Sequence, residues 1–405
     1  MSGFSRRGKV SNQESLVGQP LCSMTLAMRN KKRNPSMKNL RHFYPIILAG
    51  GRGTRFWPLS RRSRAKQLLA LDGKDTMIQQ TVARLTALAS AKDFWIITNS
   101  DLRPAITRQL PKLPAKQILA EPAARNTAPA IGLAAYLLLR YDPVAVLGLF
   151  PSDHVIADQA TYRATLQRAI AIAAAGENIV VLGVRPNRAE TGYGYIEVGA
   201  PAPSQALRVR RFTEKPDATR AAEFLEAGNY LWNSGMFLWS ARTLTRALEE
   251  HLPKTARLLA EIAAAFGTRK FEAVFKKLYP KCENISVDYA LLEPRSAKGE
   301  AASNIFCVPA DFGWNDLGSW TALYEHHSAK KLTPDANLVR AEKHFALNAT
   351  RNYVHAPGKF VATVGVSGLV VVETDDALLI TTLEHAQDVG KVVKYLDERK
   401  LDKLT

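Results

Sequence analysis

A glycine-rich stretch, Leu48-Ala49-Gly50-Gly51-Arg52-Gly53-Thr54-Arg55, follows directly on an apolar run at Tyr44–Leu48. Glycines in such a place let backbone N–H groups close on a phosphate, and Arg55 adds a fixed, forked positive charge. A plain glycine turn is the alternative reading. Two common phosphate motifs do not fit: a P-loop needs Gly-Lys-Ser/Thr at its end, and a dinucleotide fingerprint needs a third glycine where this chain has Phe56. Downstream, Lys66 in Ala65-Lys66-Gln67 is placed to reach back across the same phosphates.

Two carboxylates stand out. Pro151-Ser152-Asp153-His154 closes the apolar run Val144–Phe150. In open α/β sheets, ligands bind at the carboxyl ends of strands. A carboxylate there is costly to bury unless it holds a cation. Asp153 is therefore a magnesium-ligand candidate, with a turn or cap aspartate as the structural alternative; His154 reads as a packing neighbour. Asp316, in Phe312-Gly313-Trp314-Asn315-Asp316-Leu317-Gly318-Ser319-Trp320, is flanked by aromatics and glycine, which suits a dry site wall. One Mg²⁺ held by Asp153, Asp316 and substrate phosphates matches the few protein ligands that ion takes. Asp311 stays open as a second candidate.

Arg211-Phe212-Thr213-Glu214-Lys215-Pro216 and Tyr230-Leu231-Trp232-Asn233-Ser234-Gly235-Met236-Phe237 suit a polyol pocket. Glu214 and Asn233 can hydrogen-bond hydroxyls, and Lys215 can pair with a monophosphate. The turn Gly192-Tyr193-Gly194-Tyr195 permits close backbone approach to a sugar. Singly, each also reads as an ion pair, a turn or an aromatic core. Glu121, in Ala120-Glu121-Pro122-Ala123-Ala124-Arg125-Asn126-Thr127, offers a base contact. Guanine presents N1–H and a 2-amino group side by side, and one carboxylate accepts both. A helix-entry glutamate, or one paired with Arg125, is the alternative.

The elements that must position these groups alternate. Tyr44–Leu48, Phe94–Thr98, Val144–Phe150 and Ile179–Val184 read as buried strands; Met77–Ala89, Thr127–Arg140 and Tyr162–Ala175 read as helices. That pattern predicts an α/β layered domain with a mainly parallel sheet. From Asn348 to Thr382 the chain turns valine-rich with turn signals, which predicts a small separate β domain. Glu384–Lys400 reads as an amphipathic helix. The expected domains are a disordered basic extension (1–42), a catalytic domain (43–331) and a β domain with a terminal helix (332–405).

Composition narrows the class. The net charge is +18, but nine cations against Glu14 alone fall at or before Arg41. A surplus of eight sits there, and ten charges remain for the rest. That remainder suits phosphorylated substrates, and no nucleic-acid-binding module accompanies it, so no nucleic-acid partner is expected. The extension fits a transit peptide, or a start codon placed upstream of the true one, since Met24, Met28 and Met37 all precede the first strand. Apolar stretches are too short to span a bilayer, so no membrane association is expected. Cys22, Cys282 and Cys307 lie far apart without metal or disulfide spacing, which suits the cytoplasm.

Taken in order, the motifs GGRGTRFWPLSR, KQLL, LAEPAARNTAPAI, LFPSDHVI, TGYGYI, RFTEKP, YLWNSGMFLW, SVDYALLE, FGWNDLGSW and LVVVETDDALL resemble the mannose-1-phosphate guanylyltransferase family from Tyr44 to about Leu396. The resemblance implies a Rossmann-like nucleotide-diphospho-sugar transferase domain followed by a small left-handed β-helix-like domain. It implies the reaction of GTP with α-D-mannose 1-phosphate, with Mg²⁺, to give GDP-mannose and diphosphate. On matched positions it puts Leu48, Ala49, Gly50, Gly51, Gly53, Thr54, Arg55, Glu121, Pro122 and Asn126 at the nucleotide, with Arg55 and Lys66 catalytic. It puts Gly194, Glu214, Lys215 and Asn233 at the sugar phosphate, and Asp153 with Asp316 on the metal. One departure is Ala65, where the family has a proline that stiffens the loop presenting Lys66. Long bacterial relatives carry a further isomerase domain, and with the chain ending at Thr405 isomerase activity is not expected. Transfer to another hexose 1-phosphate or from another nucleotide, and a non-catalytic GDP-mannose-binding subunit, are the alternatives. The β tail is a candidate homodimer contact.

Overall fold

The structure is a computed structural model and describes residues 40–329 and 335–405, which belong to one compact unit. Most of the basic extension expected at 1–42 lies outside the described residues, as does the boundary drawn between 331 and 332.

The central sheet is built from β1 (Phe43–Leu48), β2 (Trp95–Asn99), β3 (Ile118–Glu121), β4 (Val146–Pro151), β6 (Ile179–Val184), β7 (Tyr195–Ala202), β8 (Ala206–Thr213), β9 (Tyr230–Ser240) and β10 (Ile305–Ala310). The small strands β5 (Val155–Ile156) and β11 (Trp314–Asn315) pair with each other outside it. Across the sheet the order is β3-β2-β1-β4-β9-β6-β10-β8-β7. The expected parallel character holds for β3-β2-β1-β4 and for β6 with β10. The sheet as a whole is mixed, because β9 runs antiparallel between β4 and β6, and β7 and β8 add antiparallel pairs. Residue patterning shows which face of a strand is buried but not its direction, so this reversal had no signature in the sequence.

Successive residues of the inner strands point to opposite faces. Ile46, Leu147, Leu149 and Trp239 meet helices Thr127–Leu139, Ala241–His251 and Pro253–Ala265 on one side. Ile47, Val146, Phe150 and Leu238 meet helices Met77–Leu85, Arg103–Gln109 and Gln159–Ala174 on the other. Helix bounds shift by a few residues from the sequence reading. The helix read from Tyr162 begins at Gln159, because Asp158 caps it by accepting from Ala160 N and Thr161 N.

Strands β3, β2, β1 and β4 are parallel, so their carboxyl ends share one edge of the sheet. Glu121, Asn99, the glycine loop and Asp153 emerge there side by side. Because β9 is antiparallel, its first half, carrying Asn233 and Gly235, reaches that same edge.

The C-terminal part is a four-stranded β-helix domain: β12 (Leu338–Leu347), β13 (Tyr353–Val364), β14 (Leu369–Glu373) and β15 (Leu378–Thr382). Strands β12, β13 and β14 are parallel, and β15 returns antiparallel. The amphipathic tail forms a shorter helix than expected, Val389–Glu398, which buries Val389, Val393 and Leu396 at helical spacing. Each such side chain contributes roughly 1.5–3 kcal/mol of burial. They share one apolar cluster with Phe56, Trp57, Trp320 and Val370, so this helix packs on both parts of the chain.

Inside the β-helix, Asn352 is fully buried and bonded on every side. Its N–H and Nδ2 donate to Asn337 Oδ1 at 3.1 and 3.0 Å, Nδ2 also donates to Val366 O, and Oδ1 accepts from Leu369 N at 2.9 Å. Asn352→Ala strands these partners, so unfolding of this domain in urea should become easier by about 1–3 kcal/mol. An unchanged midpoint would show that the ladder is not structural.

Candidate active site

The glycine loop is fastened from behind. Gln67 Nε2 donates to the carbonyls of Ala49 (2.9 Å) and Gly51 (3.0 Å), and Thr98 Oγ1 to Ala49 (2.9 Å). Asn99 Nδ2 donates to Gly50 O (3.2 Å) and Ser60 Oγ to Gly53 O (2.8 Å). In a trans peptide the C=O and the following N–H point in opposite directions. Anchoring these four carbonyls therefore turns the N–H groups of Gly50, Gly51, Arg52 and Thr54 outward, the geometry an anion needs. Ala49 N–H donates to Ile97 O (2.8 Å), so that residue serves the loop's framework.

Gly53 has φ 63°, and a Cβ there would fall within 3.0 Å of Lys66 Cβ. Glycine is thus required by Lys66 as well as by the turn. Lys66 is only 5% exposed. Its Nζ donates to Asp153 Oδ2 at 2.8 Å and to the Asp316 carbonyl at 2.5 Å, with the Phe56 ring 5.7 Å away. Ala65 has φ −66°, within the range proline imposes, so the departure from the family pattern leaves the lysine's backbone conformation intact.

Burial alone would push the Asp153 carboxyl up, but the Lys66 ammonium beside it, helped by His154, holds it below the usual aspartate range. About a third of the Asp153 side chain still meets solvent, so it is packed about and not sealed. Burial drives His154 down to about 4, which leaves it neutral at pH 7. Trp314 Nε1 donates to its Nδ1 at 3.1 Å, so the ring proton sits on Nε2. This fits the packing role expected of His154.

Asp316 arrives from far along the chain. The ribbon of β5 and β11 pairs Trp314 with Ile156 and Asn315 with Val155, which sets Asp316 beside the loop carrying Asp153. Its Oδ1 accepts from Tyr193 OH (2.6 Å) and Gly318 N (3.2 Å). Leu317 is held at φ 44° because its side chain is buried and Asn315 Oδ1 accepts from its N–H at 2.7 Å. Arg55 approaches from the other side: a Cβ on Gly318 would lie 2.9 Å from Asp316 Oδ2 and 3.5 Å from Arg55 Nη1.

These two carboxylates suit a hard divalent ion. Asp153 Oδ1 and Asp316 Oδ2 are the oxygens that the bonds above leave open, and magnesium takes one or two carboxylates together with substrate phosphates. Among the described residues no cluster of three or more His, Cys, Asp or Glu could hold a metal unaided, and Asp153 and Asp316 would hold such an ion only together with further oxygen ligands.

A cleft next to Asp316 is lined by Gly194, Glu214, Lys215, Asn233 and Asp288. At Gly194 a Cβ would displace the Glu214 carboxylate and lie 3.3 Å from Asn233 Cβ, so glycine keeps this wall uncrowded. Asn233 is held on both sides: Nδ2 donates to Asp288 Oδ1 (3.0 Å), and Oδ1 accepts from Gly235 N (2.9 Å). Lys215, at φ 44°, pairs with Glu214 at 3.1 Å and is otherwise largely exposed. Burial, then the neighbouring Glu214 charge, pushes the Asp288 carboxyl up to about 6. Sequence reasoning gave Asp288 no role. Its signal was a carboxylate inside the apolar run Val287–Leu292, a placement that costs free energy unless the group has a partner or a ligand. A second cleft, lined by Arg55, Arg188 and Gln387, shares Tyr193 and Asp316 with the first.

At the far end, Glu121 closes β3. Its Oε2 would lie 3.5 Å from a Cβ on Gly50, and its Oε1 accepts from Tyr279 OH at 2.5 Å. Burial raises this carboxyl to about 7 although the Tyr279 bond opposes the rise. Arg125 does not pair with it; its guanidinium donates to Pro280 O. Pro122 and Asn126 are exposed, and Asn126 Oδ1 accepts from Thr127 N, where it caps a helix.

The nucleotidyl transferase family model matches residues 44–332, most of the described chain. The chain belongs to the mannose-1-phosphate guanylyltransferase family of nucleotidyl transferases. A second model, the MannoseP isomerase/GMP-like beta-helix domain, matches residues 342–396. Among curated relatives, the mannose-1-phosphate guanylyltransferase of Salmonella muenchen is 37% identical over 87% of this chain and 73% of its own length. The alginate biosynthesis protein AlgA of Pseudomonas aeruginosa is 39% identical over 87% of this chain and 72% of its own. A crystal structure described as mannose-1-phosphate geranyltransferase from Thermus thermophilus superposes with a TM-score of 0.77 at 32% identity, covering 88% of this chain and 99% of that one. In this family member, the fold thus gathers the glycine loop, Lys66, Asp153 and Asp316 at one strand edge, with Gly194, Glu214, Lys215 and Asn233 in the adjoining cleft.

The two glycines of the loop should behave differently. A Cβ on Gly51 meets nothing within 4 Å, while one on Gly53 collides with Lys66 at positive φ. Gly53→Ala should destabilise the protein by more than about 1 kcal/mol, and Gly51→Ala should stay within about 0.5 kcal/mol. Equal urea midpoints for the two variants would contradict the packing of Lys66 on the loop.

Proposed function

We propose that the chain transfers GMP from GTP to α-D-mannose 1-phosphate, giving GDP-mannose and diphosphate. The observation that carries this reading is the Lys66 ammonium, held between Asp153 and Asp316 where the glycine loop meets the sugar-side cleft. Outward N–H groups of the loop take the triphosphate, Arg55 its outer phosphates, and Lys66 the oxygens of the α-phosphate. Glu121 accepts N1–H and the 2-amino group of guanine. Glu214, Asn233 and Asp288 bind sugar hydroxyls, and Lys215 pairs with the sugar's 1-phosphate.

The attacking phosphate oxygen is already ionised, so the chain need not abstract a proton. Catalysis is in-line positioning with fixed positive charge around the α-phosphorus. Magnesium held by Asp153 and Asp316 would supply charge neutralisation on the triphosphate. The buried free thiols Cys282 and Cys307 support work in the reducing cytoplasm. Outward-facing Phe345, Leu347, Phe360 and Val364 on β12 and β13 support the β-helix domain as a homodimer contact.

Diphosphate should be released from GTP only when mannose 1-phosphate is present, and far more slowly from ATP, UTP or dTTP. Release from GTP without the sugar phosphate, or from all four nucleotides alike, contradicts the assignment. Lys66→Ala should lower kcat by about two or more orders of magnitude; near-normal turnover removes Lys66 from the reaction.

The Glu121 carboxyl gives a pH signature. Its folded value is raised to about 7, so it stabilises the fold at pH below the ordinary glutamate range and loses that contribution as pH rises through about 7. Base recognition needs the ionised form and runs the opposite way. The kcat/KM for GTP, which reports the free enzyme, should fall as pH drops from 8 to 6, and Glu121→Gln should abolish that step. The same step surviving in Glu121→Gln would assign it to another group.

A further inference from the structure

Three arginines at the glycine loop, Arg52, Arg55 and Arg62, are engaged by the C-terminal segment. Arg52 Nη1 donates to Asp397 Oδ2 at 2.8 Å, and Arg62 Nη2 donates to Asp397 Oδ1 at 2.7 Å, so one carboxylate clasps two guanidinium groups. That double contact holds the Asp397 carboxyl down at about 2. Arg62 also reaches Asp402 at 3.0 Å, and its N–H donates to Thr405 O at 3.0 Å. Arg55 Nη1 donates to Gln387 Oε1 at 2.8 Å. Between these contacts the helix Val389–Glu398 lies against the loop itself. A Cβ on Gly390 would touch Thr54 Oγ1 at 3.4 Å and Arg55 Cγ at 3.7 Å.

We propose that the C-terminal segment from Gln387 through the helix is a working part of the nucleotide site: Asp397, through Arg52 and Arg62, and Gln387, through Arg55, are positioning residues that set the glycine loop for the triphosphate. The inference rests on the reading of that loop as the GTP phosphate site.

The physical argument turns on what these bonds can and cannot do. Arg52 and Asp397 are each about a third exposed, and partly exposed ion pairs contribute little to stability and are screened by salt. The apolar cluster of Val389, Val393 and Leu396 with Trp57 already holds the helix in place. What the polar contacts add is direction. The inner side of the loop is fixed by Gln67, Thr98, Asn99 and Ser60, while the outward side chains of Arg52 and Arg55 are held by Asp397 on the helix and by Gln387 just before it. Without Asp397, Arg52 and Arg62 repel each other beside the loop. Without Gln387, the Arg55 guanidinium loses the bond that sets its direction. A displacement of about 1 Å in a positioning group is enough to cost orders of magnitude in rate.

The test uses the full chain with Asp397→Asn, Gln387→Ala, the conservative Asp397→Glu, and Lys394→Ala as a control on the exposed side of the same helix. Affinity for GTP is measured by calorimetry, and KM for each substrate and Tm are measured alongside. Asp397→Asn and Gln387→Ala should each weaken GTP binding about 5-fold or more, with KM for mannose 1-phosphate and Tm nearly unchanged. Asp397→Glu should recover most of the GTP affinity, and Lys394→Ala should match the unaltered chain. Unchanged GTP affinity in both variants overturns the inference and leaves the proposed function standing. A parallel loss of both substrates with a lowered Tm also overturns it, because the contacts are then merely structural. Failure of the unaltered chain to bind GTP overturns the function and this inference together.

Discussion

An ammonium taken out of water must be compensated where it lies, because an unpaired buried charge costs several kcal/mol. Lys66 meets that requirement with the Asp153 carboxylate, the Asp316 carbonyl and the face of Phe56. Much of the architecture follows from it. Gly53 has no side chain because Lys66 occupies that space. The β5–β11 ribbon exists where it does because it carries Asp316 to the lysine. In the resting arrangement the lysine and Asp153 cancel each other. On the proposed reading, a triphosphate entering beside them brings several negative charges and needs further cations, and the two open carboxylate oxygens would help to hold one.

The acids of the site are tuned in opposite directions by surroundings that can be named. Lys66 keeps Asp153 ionised, while burial raises Glu121 and Asp288. Carboxyl groups whose environments push them apart in this way take different roles. One is suited to standing beside cations, the others to exchanging hydrogen bonds with neutral ligand groups. The framework that achieves this is rigid where it meets the loop from within. Strand ends carry Glu121, Asn99 and Asp153, and the side chains of Gln67 and Ser60 are buried.

The chemistry-bearing motifs were legible because each is local. A glycine loop after an apolar strand, a lysine shortly beyond it, and an aspartate at a strand's carboxyl end carry their meaning in adjacent residues. The supports were not legible, because long-range pairing creates them. Nothing near Tyr279 announces that it donates to Glu121, and nothing near Asp397 announces Arg52. Asp288 lay in a quoted motif, but its carboxylate gains significance only from Asn233 and Glu214 beside it. Strand direction was likewise hidden: β9 is buried along most of its length whichever way it runs, so the mixed character of the sheet emerged only in three dimensions. Asn126 shows a motif residue with a local structural task as well, since its side-chain oxygen caps a helix.

The central claim is spatial: Lys66, Asp153 and Asp316 converge on one bound nucleotide. The most direct test is a crystal structure with a non-hydrolysable GTP analogue and Mn²⁺, in which the ion is located by its anomalous scattering. The account predicts one ion in contact with the carboxylates of both Asp153 and Asp316, and Lys66 against the α-phosphate. A nucleotide bound with its ion away from both aspartates, or with Lys66 making no phosphate contact, would contradict it.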